Sequence, residues 1–209
     1  MSHFTVAVFT RDAGQVESLL APYNEWVDQN SPYAEFMENE DAELDAATGR
    51  RGYWYNPNAR WDWYTIGGRW DSLLKLKDAG ERSNSARVRD CDFSPDEEGY
   101  RKAARFWEIF VEELPCSDEE KQQYFNLYKK EYFIQQYGTK ENYARHQAMF
   151  QTYAFISEDG EWHETGRMGW WGMDDATAGS RESYIRDFEA NLEEAKEKDL
   201  FITIVDCHI

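Results

Sequence analysis

A chain of 209 residues with 16% aromatics and nine Trp can bury a core of its own without covalent staples, and it is too aromatic to be disordered. Its 41 acids against 23 bases, net −18, work against binding DNA, RNA or an anionic membrane, whose phosphates must be neutralised by Lys and Arg. Cys91, Cys116 and Cys207 form no CxxC pair, the start lacks a basic flank and long apolar run, and nothing approaches the ~18 apolar residues of a membrane helix. The expectation is a single cytoplasmic domain over 1–209 with no cofactor and no metal site.

Residues 3–10, HFTVAVFT, are β-branched and aromatic and predict a strand. Asp12 can cap a helix running to about Leu20 and stopped near Pro22. Residues 25–47 are acidic with little apolar periodicity and read as a solvated loop or short helix. The block from Gly52 to Trp70 is aromatic, broken by Asn56-Pro57 and Gly67-Gly68, and predicts two extended segments.

Ser94-Pro95-Asp96-Glu97 opens a helix to about Leu114. Ser117 caps a second, ending near Gly138, and a third runs from about Thr139 to Met149. Residues 152–164 read as a hairpin turning at Glu158-Asp159-Gly160, and Gly166–Met173 as a Gly/Trp/Met lid. A helix over 181–198 precedes a closing strand, Leu200–His208. Strand, helix, hairpin, helix, strand outlines an α+β fold, a ferredoxin-like antiparallel sheet with a helical insertion at about 94–150.

In such a sheet the first and last strands are antiparallel neighbours. One register pairs His3 with His208 and Thr5 with Asp206, setting all four on one face beside apolar Ala7, Phe9, Ile202 and Ile204. Two histidines and a carboxylate can divide acid and base roles near neutral pH. A competing reading is that strand ends are simply polar.

Between Arg50 and Arg89 lie nine bases and four acids, interleaved with Trp. That pattern suits a small anionic ligand with a flat ring: Arg60 and Arg69 for its phosphate, Trp61, Trp63 or Trp171 for its base. Alternatively, these arginines pair with the protein's own acids and the Trp side chains are core.

The opening MSHFTV, the block YNPNARWDWYTIGGRW and the ending VDCHI together resemble a family of largely uncharacterised bacterial and bacteriophage proteins. The resemblance implies a phage setting, in which small proteins bind or destroy the nucleotide signals of host immunity. His3-Phe4-Thr5-Val6 also resembles the motif of the two-histidine phosphodiesterases: His, apolar, Thr or Ser, apolar. The second such motif would fall on His163-Glu164-Thr165, where Glu164 departs from the pattern; it offers His163 as a third site histidine.

Three functions follow as expectations: metal-independent phosphodiester cleavage in a nucleotide-derived immune signal, non-catalytic sequestration of the same ligand, and an acidic DNA mimic or protein-binding inhibitor using residues 35–45. An exposed aromatic surface would favour a homodimer.

Overall fold

In the computed structural model the described residues are 2–78, 80–169 and 174–209. Strand β1 (His3–Thr10) leads through a 3-10 turn, Ala13–Gln15, into the short helix α1 (Val16–Leu20). Asp12 caps the turn and its backbone N–H is held in return by Gln15, which starts the helix where the sequence predicts it. Next come β2 (Glu35–Glu38), β3 (Gly52–Tyr55), β4 (Trp63–Ile66), a 3-10 turn at Gly68–Trp70, and the short strands β5 (Leu74–Lys75), β6 (Arg82–Ser83) and β7 (Ser85–Arg87). Helices α2 (Glu97–Phe110), α3 (Asp118–Lys121), α4 (Lys130–Tyr137) and α5 (Lys140–Ala148) follow. The hairpin β8 (Ala154–Ile156) and β9 (Trp162–Glu164), helix α6 (Ala178–Glu197) and strand β10 (Phe201–His208) complete the chain.

The fold is α+β, but its strand order is not the ferredoxin-like one. The main sheet runs β4-β10-β1-β8-β9, with β7 also on β10, and β1 pairs in parallel with β8, the first strand of the hairpin rather than the second. Burial explains the exchange. Ala154, Phe155 and Ile156 are apolar on both faces and take an interior position, whereas the half-buried Trp162, His163 and Glu164 of β9 suit an edge. The parallel pair also means that the sheet is mixed, not purely antiparallel.

One face of the sheet packs Ala7, Phe9, Ile202 and Ile204 against Tyr184, Phe188 and Leu192 of α6. The other packs Val6, Val8 and Val205 against Val16, Leu20 and Trp61. Helices α2–α5 hold a separate aromatic core around Phe106, Trp107 and Phe133.

Two local expectations fail. The acidic stretch contains a strand, since β2 pairs with β3 where Phe36 meets Trp54 at 5.3 Å and Arg50 lies over the Phe36 ring. A single aromatic pair with a cation is too short a signal for periodicity to detect. The helix read from Ser117 to Gly138 is two helices, interrupted where the Asn126 side chain accepts from the Tyr128 N–H. Among the described residues, no helix is long and apolar enough to cross a membrane.

His146, within the insertion, carries a pH-dependent share of stability. Burial, and then the nearby Arg181 guanidinium, lower its pKa from 6.5 to about 4. The unfolded chain therefore takes up the proton first, and the stabilisation present above pH ~6.5 is lost as pH falls through about 4. The loss is of order 3 kcal/mol at most. Urea unfolding at pH 7 and pH 4.5 should show a smaller drop for His146→Phe than for the wild type; equal drops would refute this assignment.

Candidate functional site

Strands β1 and β10 pair over all eight residues, with His3 opposite His208 and Thr5 opposite Asp206. Ser2 and Ile209 extend the ladder by two reciprocal backbone hydrogen bonds of 3.0 Å, so the histidines sit inside the paired region and not on fraying ends. Facing residues of an antiparallel pair share a side of the sheet. The two imidazole centroids are accordingly 5.0 Å apart, edge to face at 72°.

Each ring is held by its own carboxylate. His3 donates from Nδ1 to Asp206 Oδ1 at 2.8 Å, and His208 donates from Nδ1 to Asp62 Oδ1 at 2.6 Å. A carboxylate only accepts, so both Nδ1 atoms carry hydrogen and both Nε2 atoms remain for other chemistry. Asp206 is 2% exposed, and its second oxygen accepts the Arg69 backbone N–H at 2.9 Å. Two hydrogen bonds compensate for the burial of that charge.

The chain is led over Asp206 by an excursion. β4 pairs with one half of β10 and β7 with the other, while residues 67–84 leave the sheet between them. Both ends of the excursion are tied to Ile204, whose carbonyl accepts from Gly67 and whose N–H donates to Asn84. Gly68 has φ +56°, and a Cβ there would stand 2.4 Å from Asp206 Oδ2. Only glycine lets the turn close on the carboxylate.

Of the residues singled out in the sequence, His3, Thr5, Asp206 and His208 meet at one end of the sheet. Thr5 Oγ1 accepts the Tyr153 N–H at 3.1 Å and so also ties β1 to the start of the hairpin. Trp63 faces His208 in register, is 52% exposed, and lies edge-on to His3 at 6.3 Å. Arg69 contributes its backbone, and among the described residues its guanidinium makes no ion pair.

Three expectations are corrected. His163 stacks on Phe155 at 4.3 Å, a residue aligned with Ala7, and so lies ~13 Å along the strand from His3 and two strands over. Trp61 is 6% exposed and donates its indole N–H to the Leu20 carbonyl, in the core on the opposite face. Arg60 is spent on the Asn58 and Ala59 carbonyls and sits 3.4 Å from Glu164. Trp171 and the tip of the expected lid lie outside the described residues. The described base of that loop is tied down, with Arg167 N–H on Asp175 and Tyr153 on the Gly166 carbonyl.

Asp62 escaped the sequence reading. Its signal was present only indirectly: it precedes β4, whose pairing with β10 could not be inferred, and its backbone N–H donates to the His208 carbonyl at 2.9 Å. Cys207, between the two site residues of β10, points to the other face, and burial, followed by the Asp206 charge, pushes its thiol up. It is a packing residue and not a nucleophile. Among the described residues no group of three His, Cys, Asp or Glu side chains could hold a metal ion. No known family model, characterised protein or solved structure matches the chain.

Gly68→Ala should force the turn off Asp206, costing about 1–3 kcal/mol and shifting the His3 ring resonances in NMR spectra. Unchanged melting temperature and unchanged imidazole signals would show that the turn does not hold the carboxylate.

Proposed function

We propose that the protein is a metal-independent phosphodiesterase acting on a small nucleotide-derived signal, in the setting of phage counter-defence. The observation that carries this reading is the pair of imidazoles 5.0 Å apart, each oriented through Nδ1 by a separate carboxylate. One neutral ring accepts through Nε2 the proton of the attacking oxygen as the new P–O bond forms. The other, protonated, gives its Nε2 proton to the departing oxygen as the old P–O bond breaks. Asp206 and Asp62 hold the rings and stabilise whichever is charged. The exposed Trp63 offers a stacking surface beside His3, and the Arg69 guanidinium is available to phosphate oxygens.

A sequestering protein is the second reading, and one observation favours it. Several arginines of the 50–89 stretch are occupied: Arg50 by Glu38, Arg87 and Arg89 by Asp199, and Arg60 as described. Little cationic charge then remains to offset a transition state, whereas binding alone needs less. Exposed Phe125, Leu127 and Tyr128 on the insertion support a homodimer as well, and sedimentation velocity should show a dimer rather than a monomer.

Incubation with cyclic di- and trinucleotides and ADP-ribose derivatives, read by mass spectrometry before and after heating, separates the readings. Cleavage products are expected, falling about 10²–10⁴-fold in His3→Ala and His208→Ala. Asp62→Asn should reduce the rate with little change in KM, because it acts through His208. Full turnover in both histidine variants would eliminate the mechanism. A ligand withdrawn from solution and returned intact by heat would establish sequestration, and indifference to every compound would leave the acidic segment 35–45 as the interacting surface.

A further inference from the structure

Beside the histidine pair lies a cavity of about 610 Å³, within the range of small-molecule sites. His208 and its carboxylate partner Asp62 form part of its wall, so one half of the histidine pair borders it. The apolar surface comes from Trp26, Met168 and Ile209. Trp26 is 72% exposed although it is the largest side chain type, and nothing in the core requires it there. An exposed indole at the rim of a cavity next to two imidazoles is a stacking platform for a flat ring.

The charges of the wall narrow the ligand further. Glu25, Asp62 and Asp175 face it against Arg167 and His208. Asp62 is committed to His208, and one oxygen of Asp175 takes the Arg167 backbone N–H at 2.7 Å. Among the described residues, Glu25 and the second oxygen of Asp175 have no such partner and can accept. Acceptors of this kind bind hydroxyl groups, which donate, and repel phosphate, which does not. A flat ring that presents hydroxyl donors and carries no phosphate of its own at that end fits a nucleoside.

We infer that this cavity binds the unphosphorylated nucleoside end of the substrate, with the base on Trp26, the ribose hydroxyls on Glu25 and Asp175, and the phosphodiester at the cavity mouth beside His208. The inference rests on the phosphodiesterase reading and gives it a substrate class: a compact diester with a free nucleoside terminus. A ligand bearing a further phosphate at that end is rejected by the carboxylates.

The test uses adenosine and adenosine 3′,5′-bisphosphate as probes, followed through indole N–H resonances of the ¹⁵N-labelled full chain. The Trp26 signal is identified by its loss in Trp26→Ala, an exposed position whose replacement leaves the core intact. Adenosine should shift that signal saturably, and the bisphosphate should bind more weakly. Trp26→Ala should weaken adenosine binding, followed by the adenosine proton signals, about tenfold. Glu25→Gln should narrow the gap between the two probes, and His3→Ala should leave adenosine binding in place. No saturable shift up to about 10 mM adenosine, unaltered affinity in Trp26→Ala, or preference for the bisphosphate would each overturn the assignment. Adenosine binding without cleavage of any diester would remove the enzymatic reading and leave the cavity's; cleavage without adenosine binding would do the reverse.

Discussion

The antiparallel pairing of β1 with β10 is the constraint on which the rest depends. Eight residue pairs, extended by Ser2 and Ile209, fix which side chains share a face. A slip of one residue would turn His3 away from His208 and move Ala7 and Phe9 off the α6 core. The cost of exposing that apolar face therefore protects the geometry of the polar end. Site and core are specified by the same register.

The second requirement is that carboxylates reach the histidines from two directions. Asp206 lies diagonally across the ladder from His3 on β10 itself, so the pairing alone delivers it. Asp62 comes from the chain entering β4, on the far side of β10. The detour of residues 67–84 then satisfies two needs at once: it fills both ends of β10's outer edge, and it lays a backbone N–H on Asp206. That is why a glycine immediately precedes Arg69 in a segment otherwise crowded with aromatics. Gly68 cannot carry a side chain without displacing the carboxylate that orients His3.

Burial also divided the aromatic and basic residues that composition had grouped together. Trp61 and Trp63 are only two residues apart, yet one is locked in the core and the other is half in solvent beside His3. Trp61 precedes the strand and turns toward α1, while Trp63 faces His208 within it. Likewise His163 shares a motif with His3 in the sequence but is separated from it by two strands, because β8 takes the interior place and leaves β9 at the edge. Short motifs report local chemistry; strand order decides whether two of them meet.

The sequence by itself determined the α+β class, the two long apolar strands, the hairpin and most helix starts; the register that unites His3, Thr5, Asp206 and His208 it offered as one option, which the β1–β10 pairing fixed. Each of these follows from local capping, turn chemistry or alternation with period two, which a linear chain displays. Only the tertiary structure decided the order of β8 and β9, the β2–β3 ribbon, the second carboxylate at Asp62 and the cavity edged by Trp26. These depend on contacts between residues far apart in the chain, as with Asp62 and His208, and burial in three dimensions selects among pairings that the sequence leaves equally open.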